Sequence, residues 1–338
     1  GSSGGNGRRS GVTQKGAPWC KLHALGPSER KERPVKQTIA MMMCAALTIL
    51  MPGMAFGAEE LSERQVERIQ RMAPEEAPAK PQKARKLLVF SLCKGFYHDA
   101  IPVGEAAFVA IGEKTGAFEA VVSDDIAQFE PENLKQYDAV LFNNSTGELF
   151  MPSNEALEKM SDEEKQKAKA YDALLKESLL DFVKSGKGII GIHAATDAFY
   201  QWPAYGEMMG GYFDGHPWNE RVGIKLDEPK HPINAAFEGE NFTVIDEIYQ
   251  LRDYSRKTHR VLLSLDAENT DMTKDGIKRE DKDFAISMIR DYEGGRVFYC
   301  ALGHRHAIFA NRPVLEHMLA GIQFALGDLE ADATPSQE

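Results

Sequence analysis

The chain has 338 residues, 43% hydrophobic and 27% charged, which allows one large folded domain or two small ones and excludes a wholly disordered polymer. Its formal net charge is −11. After residue 58 the balance is 32 Lys and Arg against 49 Asp and Glu, so neither nucleic acid nor an anionic membrane surface is an expected partner.

Residues 1–37 are rich in Gly, Ser, Lys and Arg and show no periodicity. Residues 38–57 carry no charge and follow Arg30, Lys31, Arg33 and Lys36, and the run ends in Ala55, Phe56 and Gly57 before Ala58. A basic stretch, an apolar stretch and small residues in that order make a signal peptide. Pro52 and Gly53 interrupt the apolar run and argue against a spanning helix. Residues 1–58 are therefore expected to be an N-terminal extension with a cleaved signal, and the mature protein to be periplasmic or extracellular. Membrane contact is expected only through the uncleaved segment.

Residues 59–85 mix charge with proline and predict a short helix followed by a linker. The folded domain is expected over 86–327, with a polar tail over 328–338. Cys93 and Cys300, the two cysteines after residue 58, have no CxxC partner, so free thiols are expected rather than a disulfide framework or a cysteine zinc cluster.

Strands and helices then alternate. Residues 87–90 form a short apolar run, the pattern of a strand buried on both faces. Val103, Ala106, Ala107, Ala110 and Ile111 recur at helical spacing behind Pro102, and 118–122 and 137–142 read as strands. Tyr171, Leu174, Leu175, Leu179, Phe182 and Val183 make one helical stripe that stops at Ser185 and Gly186 before a fourth strand, 188–192. This series predicts a parallel sheet with helices on both faces. The second half is β-rich, with strands expected at 222–226, 242–245, 261–265, 284–289 and 297–300 and a tight turn over 292–296. A helix opened by Pro313 and ended by Gly327 closes the domain.

Ligands bind open parallel sheets at the carboxyl ends of the strands. Three such ends carry polar and aromatic residues: Lys94 to His98, Asn143 to Gly147, and His193 to Asp197. Sugar hydroxyls need paired donors and acceptors, and an apolar sugar face can stack on an aromatic ring. His193 stands where hydrolases and amidotransferases place Ser or Cys on a strand-to-helix elbow, which leaves it the roles of base, proton donor or metal ligand. The stretch Gly210 to Asn219 surrounds His216 with Gly210, Gly211, Gly215, Asp214, Pro217 and Trp218. Asp246 and Glu247 follow an apolar strand, and one of them is expected to point inward with a partner. The last strand ends in His304 and His306.

With these residues in order, the chain resembles the ThuA-like family, named for trehalose utilisation. The resemblance covers about 86–327 and rests on GKGIIGIHAA around His193, GYFDGHP around His216, His231 with Pro232, Asp246-Glu247-Ile248-Tyr249, and GRVFY followed by Leu302-Gly303-His304. It implies a flavodoxin-like fold related to class I glutamine amidotransferases without their catalytic Cys. It also implies a link to sugar or keto-sugar catabolism.

The function expected is carbohydrate processing of hydrolase or isomerase type, with His193, Glu247 and His304 exchanging protons. His98, Asn143, Asp197, Asp214, His216 and Trp218 are the expected substrate contacts. No cofactor is required by this reading. The alternatives are a metal-dependent hydrolase, in which a divalent ion such as zinc sits among three His and a carboxylate, and a non-catalytic sugar-binding accessory protein. A small carbohydrate is the expected partner, and self-association into a homo-oligomer is compatible with the sequence. His193, His216, Glu247 and His304 are expected to converge at the carboxyl edge of the sheet.

Overall fold

The computed structural model describes residues 61–337. The expected signal segment lies outside the described residues, and among those described no helix is long and apolar enough to cross a membrane.

Helix α1 (Glu63–Met72) starts in a capping box, in which Ser62 and Gln65 satisfy each other's free backbone N–H groups. The stretch after it corrects the expected linker. Ala79 and Gln323 exchange hydrogen bonds, and Gln82 and Arg85 bond to Asp328, so the segment is tied to the end of the domain. The expected tail is likewise docked over its described residues, 328–337: the amide of Ser336 donates to the His259 carbonyl, and the amide of Val261 donates to the Ser336 hydroxyl. Composition signals an irregular backbone in both segments, but it does not reveal partners supplied by distant elements.

The first half runs β1 (Lys86–Phe90), α2 (Ile101–Thr115), β2 (Glu119–Ser123), α3 (Pro131–Leu134), β3 (Ala139–Asn143), α4 (Asn154–Lys159), α5 (Asp162–Lys184) and β4 (Gly188–Ile192). The second half runs α6 (Pro203–Met209), β5 (Tyr212–Phe213), β6 (Trp218–Leu226), β7 (Phe242–Ile248), β8 (Leu251–Arg252), β9 (Arg260–Leu265), β10 (Ala285–Tyr292), β11 (Gly295–Cys300) and α7 (Arg312–Leu326).

Nine strands form one sheet in the order β2-β1-β3-β4-β11-β10-β9-β6-β7. The expected parallel sheet is thus mixed. β2, β1, β3, β4 and β11 are parallel neighbours, and from β11 onward each pairing is antiparallel. The hairpin between β10 and β11 makes this switch possible, with Glu293 at φ 49 and Gly294 at φ 104 in its two-residue turn.

Alternate residues of the parallel strands feed two cores. Leu87, Val89, Leu141, Ile190 and Phe298 face α2 and α7, while Leu88, Phe90, Val140, Phe142 and Ile189 face α5 and α6. Burial of each such side chain contributes about 1.5–3 kcal/mol. Within α5, Leu175, Leu179, Phe182 and Val183 are buried as the stripe predicts, but Leu174 is turned to solvent.

β6 and β7 are longer than the sequence suggests. Only Ile224 to Leu226 of β6 pair with β9, and the rest of the ribbon, from Trp218 paired with Ile248 onward, continues beyond that contact. This extension carries Asp246 and Glu247 to the loop that follows β11.

Candidate functional site

The carboxyl ends of β1, β4 and β11, brought near one another by the parallel half of the sheet, each deliver one imidazole. His98 follows β1, His193 follows β4, and His304 follows β11. β4 turns abruptly into a 3-10 turn over His193–Thr196, and His193 takes φ 46, the left-handed region an L-residue adopts only where its surroundings hold it. Its Nδ1 lies 2.7 Å from the Ala301 carbonyl, and its own carbonyl accepts from the Tyr299 hydroxyl at 2.9 Å. With Nδ1–H donating, the neutral ring presents Nε2 as a lone pair.

That Nε2 faces Glu247 Oε1 at 3.7 Å. His304 Nδ1 is 3.5 Å from the same oxygen, and His216 Nδ1 is 3.4 Å from Oε2. All three separations exceed the 2.7–2.9 Å typical of charge-assisted hydrogen bonds. Asn219 donates to Glu247 Oε2 at 3.2 Å. His98 completes the group, with ring centroids 5.1 Å from His193 and 5.3 Å from His304, and the Tyr249 hydroxyl lies 3.5 Å from its Nε2.

The electrostatics follow from this crowding. Burial pushes the Glu247 carboxyl up, but the imidazoles of His193, His304 and His216 outweigh it and hold the group below its ordinary pKa. His98 is pushed down to about 3 by burial and by the neighbouring His193 and His304 rings. Burial also lowers His304. The site therefore holds an ionised carboxylate near neutral pH, beside the imidazoles of His98 and His304, which burial keeps neutral.

Asp246 and Glu247 are both buried, where one inward carboxylate was expected. Alternation along β7 puts Asp246 on the face of Val244 and Ile248, and the site itself covers Glu247 on the opposite face. Asp246 accepts from the amides of Gly303 at 2.8 Å and Arg305 at 2.9 Å and so fixes the backbone on either side of His304. Burial raises the Asp246 pKa against the pull of His193 and these two amides. Gly303 has φ 139, and a Cβ there would meet Ile192 Cγ2 at 2.9 Å, so the loop needs glycine at this point.

The structure places the remaining expected contacts variously. His216 is at the exposed rim, stacked on Phe213 at 5.8 Å. Asp197 is half-buried and accepts from the Tyr200 hydroxyl, and burial raises its pKa although Tyr200, His193 and His216 pull the other way. Asp214 pairs with Lys278.

Two expectations are corrected. Asn143 is fully buried, its amide bonded to Ser91 Oγ at 3.2 Å and the Ile101 carbonyl at 3.1 Å, so it ties the end of β3 to the segment after β1 and to the start of α2 rather than facing a ligand. Trp218 is also fully buried, edge-on to Phe284 with its indole N–H on the Asp271 carbonyl at 2.7 Å, because β6 starts four residues earlier than its apolar run suggests. His306, paired with His304 in sequence, points instead to the Asp99 carbonyl at 3.1 Å. Cys93 and Cys300 are free thiols, and burial pushes Cys300 up to about 12.

Sequence reasoning missed Tyr249, Asn219 and Tyr299. Tyr249 packs on His193 at 4.2 Å between ring centroids. It stands in the Asp246–Tyr249 motif, which was its only signal. Asn219 closes the stretch around His216 and Tyr299 closes the GRVFY motif, but neither position marks its side chain for the site.

Residues 86–325 match the family model for ThuA, described as trehalose utilisation. A putative ThuA-like protein from Bacteroides uniformis aligns at TM-score 0.52 and 21% identity over 73% of this chain and 94% of its own. One from Parabacteroides merdae aligns at TM-score 0.53 and 17% identity over 74% and 93%. At these identities the likeness shows the fold alone. No curated protein matches the chain.

Proposed function

As the chain belongs to the ThuA, trehalose-utilisation family, we propose that it is an exported enzyme that processes a disaccharide or keto-sugar by proton transfer at the cluster around Glu247. At the level of the family, its role lies in carbohydrate utilisation. The observation that carries the finer reading is one carboxylate faced by three imidazoles at 3.4 to 3.7 Å beside strand ends.

Glu247, held ionised, accepts a proton from a sugar hydroxyl or an activated carbon. The neighbouring imidazoles bind hydroxyls and return the proton, which is acid–base work of hydrolase or isomerase type. Phe96 is 66% exposed and packs 4.9 Å from His98, with exposed Tyr97 beside it, and these rings offer a stacking face for a pyranose. The same exposed rings favour a second reading, a sugar-binding accessory without turnover. The order β2-β1-β3-β4-β11 and the positive φ of His193 after β4 support a flavodoxin-like relationship to class I glutamine amidotransferases, with His193 in place of their Cys.

The test is a panel of disaccharides and their oxidised forms incubated with wild type and Glu247→Gln. Turnover by wild type that falls at least a hundredfold in the variant supports the enzyme. Binding without turnover supports the accessory role, and a protein that neither binds nor converts any sugar contradicts both.

A further inference from the structure

Three ring nitrogens are buried without a hydrogen-bond partner in one place: His98 Nδ1, His193 Nε2 and His304 Nδ1. His98 is 2% exposed and His193 is fully buried. A single orphaned polar atom in an interior is costly, and three beside a carboxylate demand a common partner. His193 Nε2 and Glu247 Oε1 are both acceptors when the ring is neutral, and they face each other at 3.7 Å. Two lone pairs so placed repel, and a water has two protons for a group of up to four acceptors. A cation satisfies them all.

We propose that His98, His193, His304 and Glu247 bind one divalent transition-metal ion. The proposal rests on the same site as the function above and deepens it: with the ion held, Glu247 serves as its ligand and the proton transfer assigned above to Glu247 passes to His216 at the rim. One ligand atom from each of these residues lies within 4.8 Å of the other three. A tetrahedral ion with ligands at about 2.0–2.1 Å keeps them roughly 3.4 Å apart. The 3.5 and 3.7 Å separations at Glu247 Oε1 are already near that value, and small side-chain rotations close the rest.

The supporting contacts are those that metal sites use. The Ala301 carbonyl fixes the tautomer of His193, the Tyr249 hydroxyl lies 3.5 Å from His98 Nε2, and the Asn219 amide holds Oε2 of Glu247. Three imidazoles and one carboxylate suit zinc, manganese(II) or iron(II) and do not suit calcium or magnesium, which prefer all-oxygen shells. His216 lies outside the four. It is exposed, meets the other carboxylate oxygen, and remains to exchange protons with substrate at the rim.

The experiment strips the full chain with a chelator and titrates it with zinc chloride and with manganese chloride by calorimetry. Cobalt chloride added to a separate sample is followed by visible absorption. One equivalent of ion per chain and cobalt d–d bands from imidazole and carboxylate ligands are expected. His98→Asn and Glu247→Gln should each weaken binding at least a hundredfold, and His216→Asn less than tenfold. Circular dichroism checks the fold of each variant, and if one fails to fold, the wild-type stoichiometry and cobalt spectrum decide. Absence of one-to-one binding by every ion overturns the proposal, as does equal loss in His98→Asn and His216→Asn. A chain that binds no ion yet converts a sugar overturns the ion and leaves the function. One that binds an ion and converts no carbohydrate does the reverse.

Discussion

His193 and Ala301 are 108 residues apart in the chain and 2.7 Å apart in the fold, joined from the ring Nδ1 to the backbone carbonyl. Through that bond β11 decides which nitrogen of the β4 histidine faces Glu247. Parallel pairing of β4 with β11, from Gly188 beside Arg296 to Ile192 beside Cys300, sets the register that makes the bond.

The bond predicts how substitutions at His193 behave. Because the ring is fully buried, His193→Ala should cost about 1–3 kcal/mol in urea unfolding, through the unpaired carbonyl it leaves. His193→Asn should cost less, since Asn tolerates the left-handed backbone found there. Both should lower sugar turnover by about two to four orders of magnitude. A variant that keeps wild-type turnover removes His193 from the chemistry.

Asp246 is expected to act through His304 without touching substrate. Asp246→Asn replaces one of two accepting oxygens with an amide N–H that faces a backbone N–H. Unfolding should become easier by about 1–3 kcal/mol. Turnover should fall without a new limb in its pH profile, because Asp246 itself does not meet substrate. A new limb in the profile would assign Asp246 a proton-transfer role instead.

Stability should depend on pH through histidines buried neutral outside the site. His317 is pushed down to about 3 by burial, with Nδ1 on the Ile233 carbonyl and Nε2 on the Ser287 hydroxyl, and His259 is pushed down to about 4, also by burial. A folded pKa below the unfolded value means that the unfolded chain binds the proton first. The contribution is therefore fully present above about pH 6.5 and is lost as pH falls toward the folded values, by about 1.4 kcal/mol per unit for each group. Urea midpoints measured from pH 7.5 to 4 should fall, and His317→Gln should flatten the slope by about one proton. An unchanged slope in that variant would show that His317 already titrates normally.

Export is expected to remove the N-terminal extension. Mass spectrometry of protein recovered outside the cytoplasm should give a first residue near Ala58. Recovery of an intact 38–57 segment in the membrane fraction would contradict cleavage.

The sequence by itself determined the order of the longer strands and helices, because apolar runs at strand and helical spacing are local properties. β1, β3, β4 and α7 lie within a residue or two of their expected places, and α5 stops where expected, although it begins nine residues before its apolar stripe. It also singled out His193, Glu247 and His304, since histidines and carboxylates at the ends of apolar runs are conspicuous. Only the tertiary structure decided which of the polar residues share a site. His98 joins the cluster because β1, β3, β4 and β11 stand side by side in the sheet, while Trp218 and Asn143 are withdrawn into the interior by a longer β6 and by the bonds of Asn143 to Ser91 and Ile101. The physical reason is that partner choice depends on strand order and register. Both are set by packing among elements far apart in the chain, and neither the Asp246 bonds to Gly303 and Arg305 nor the orientation of His193 has a local sequence signature.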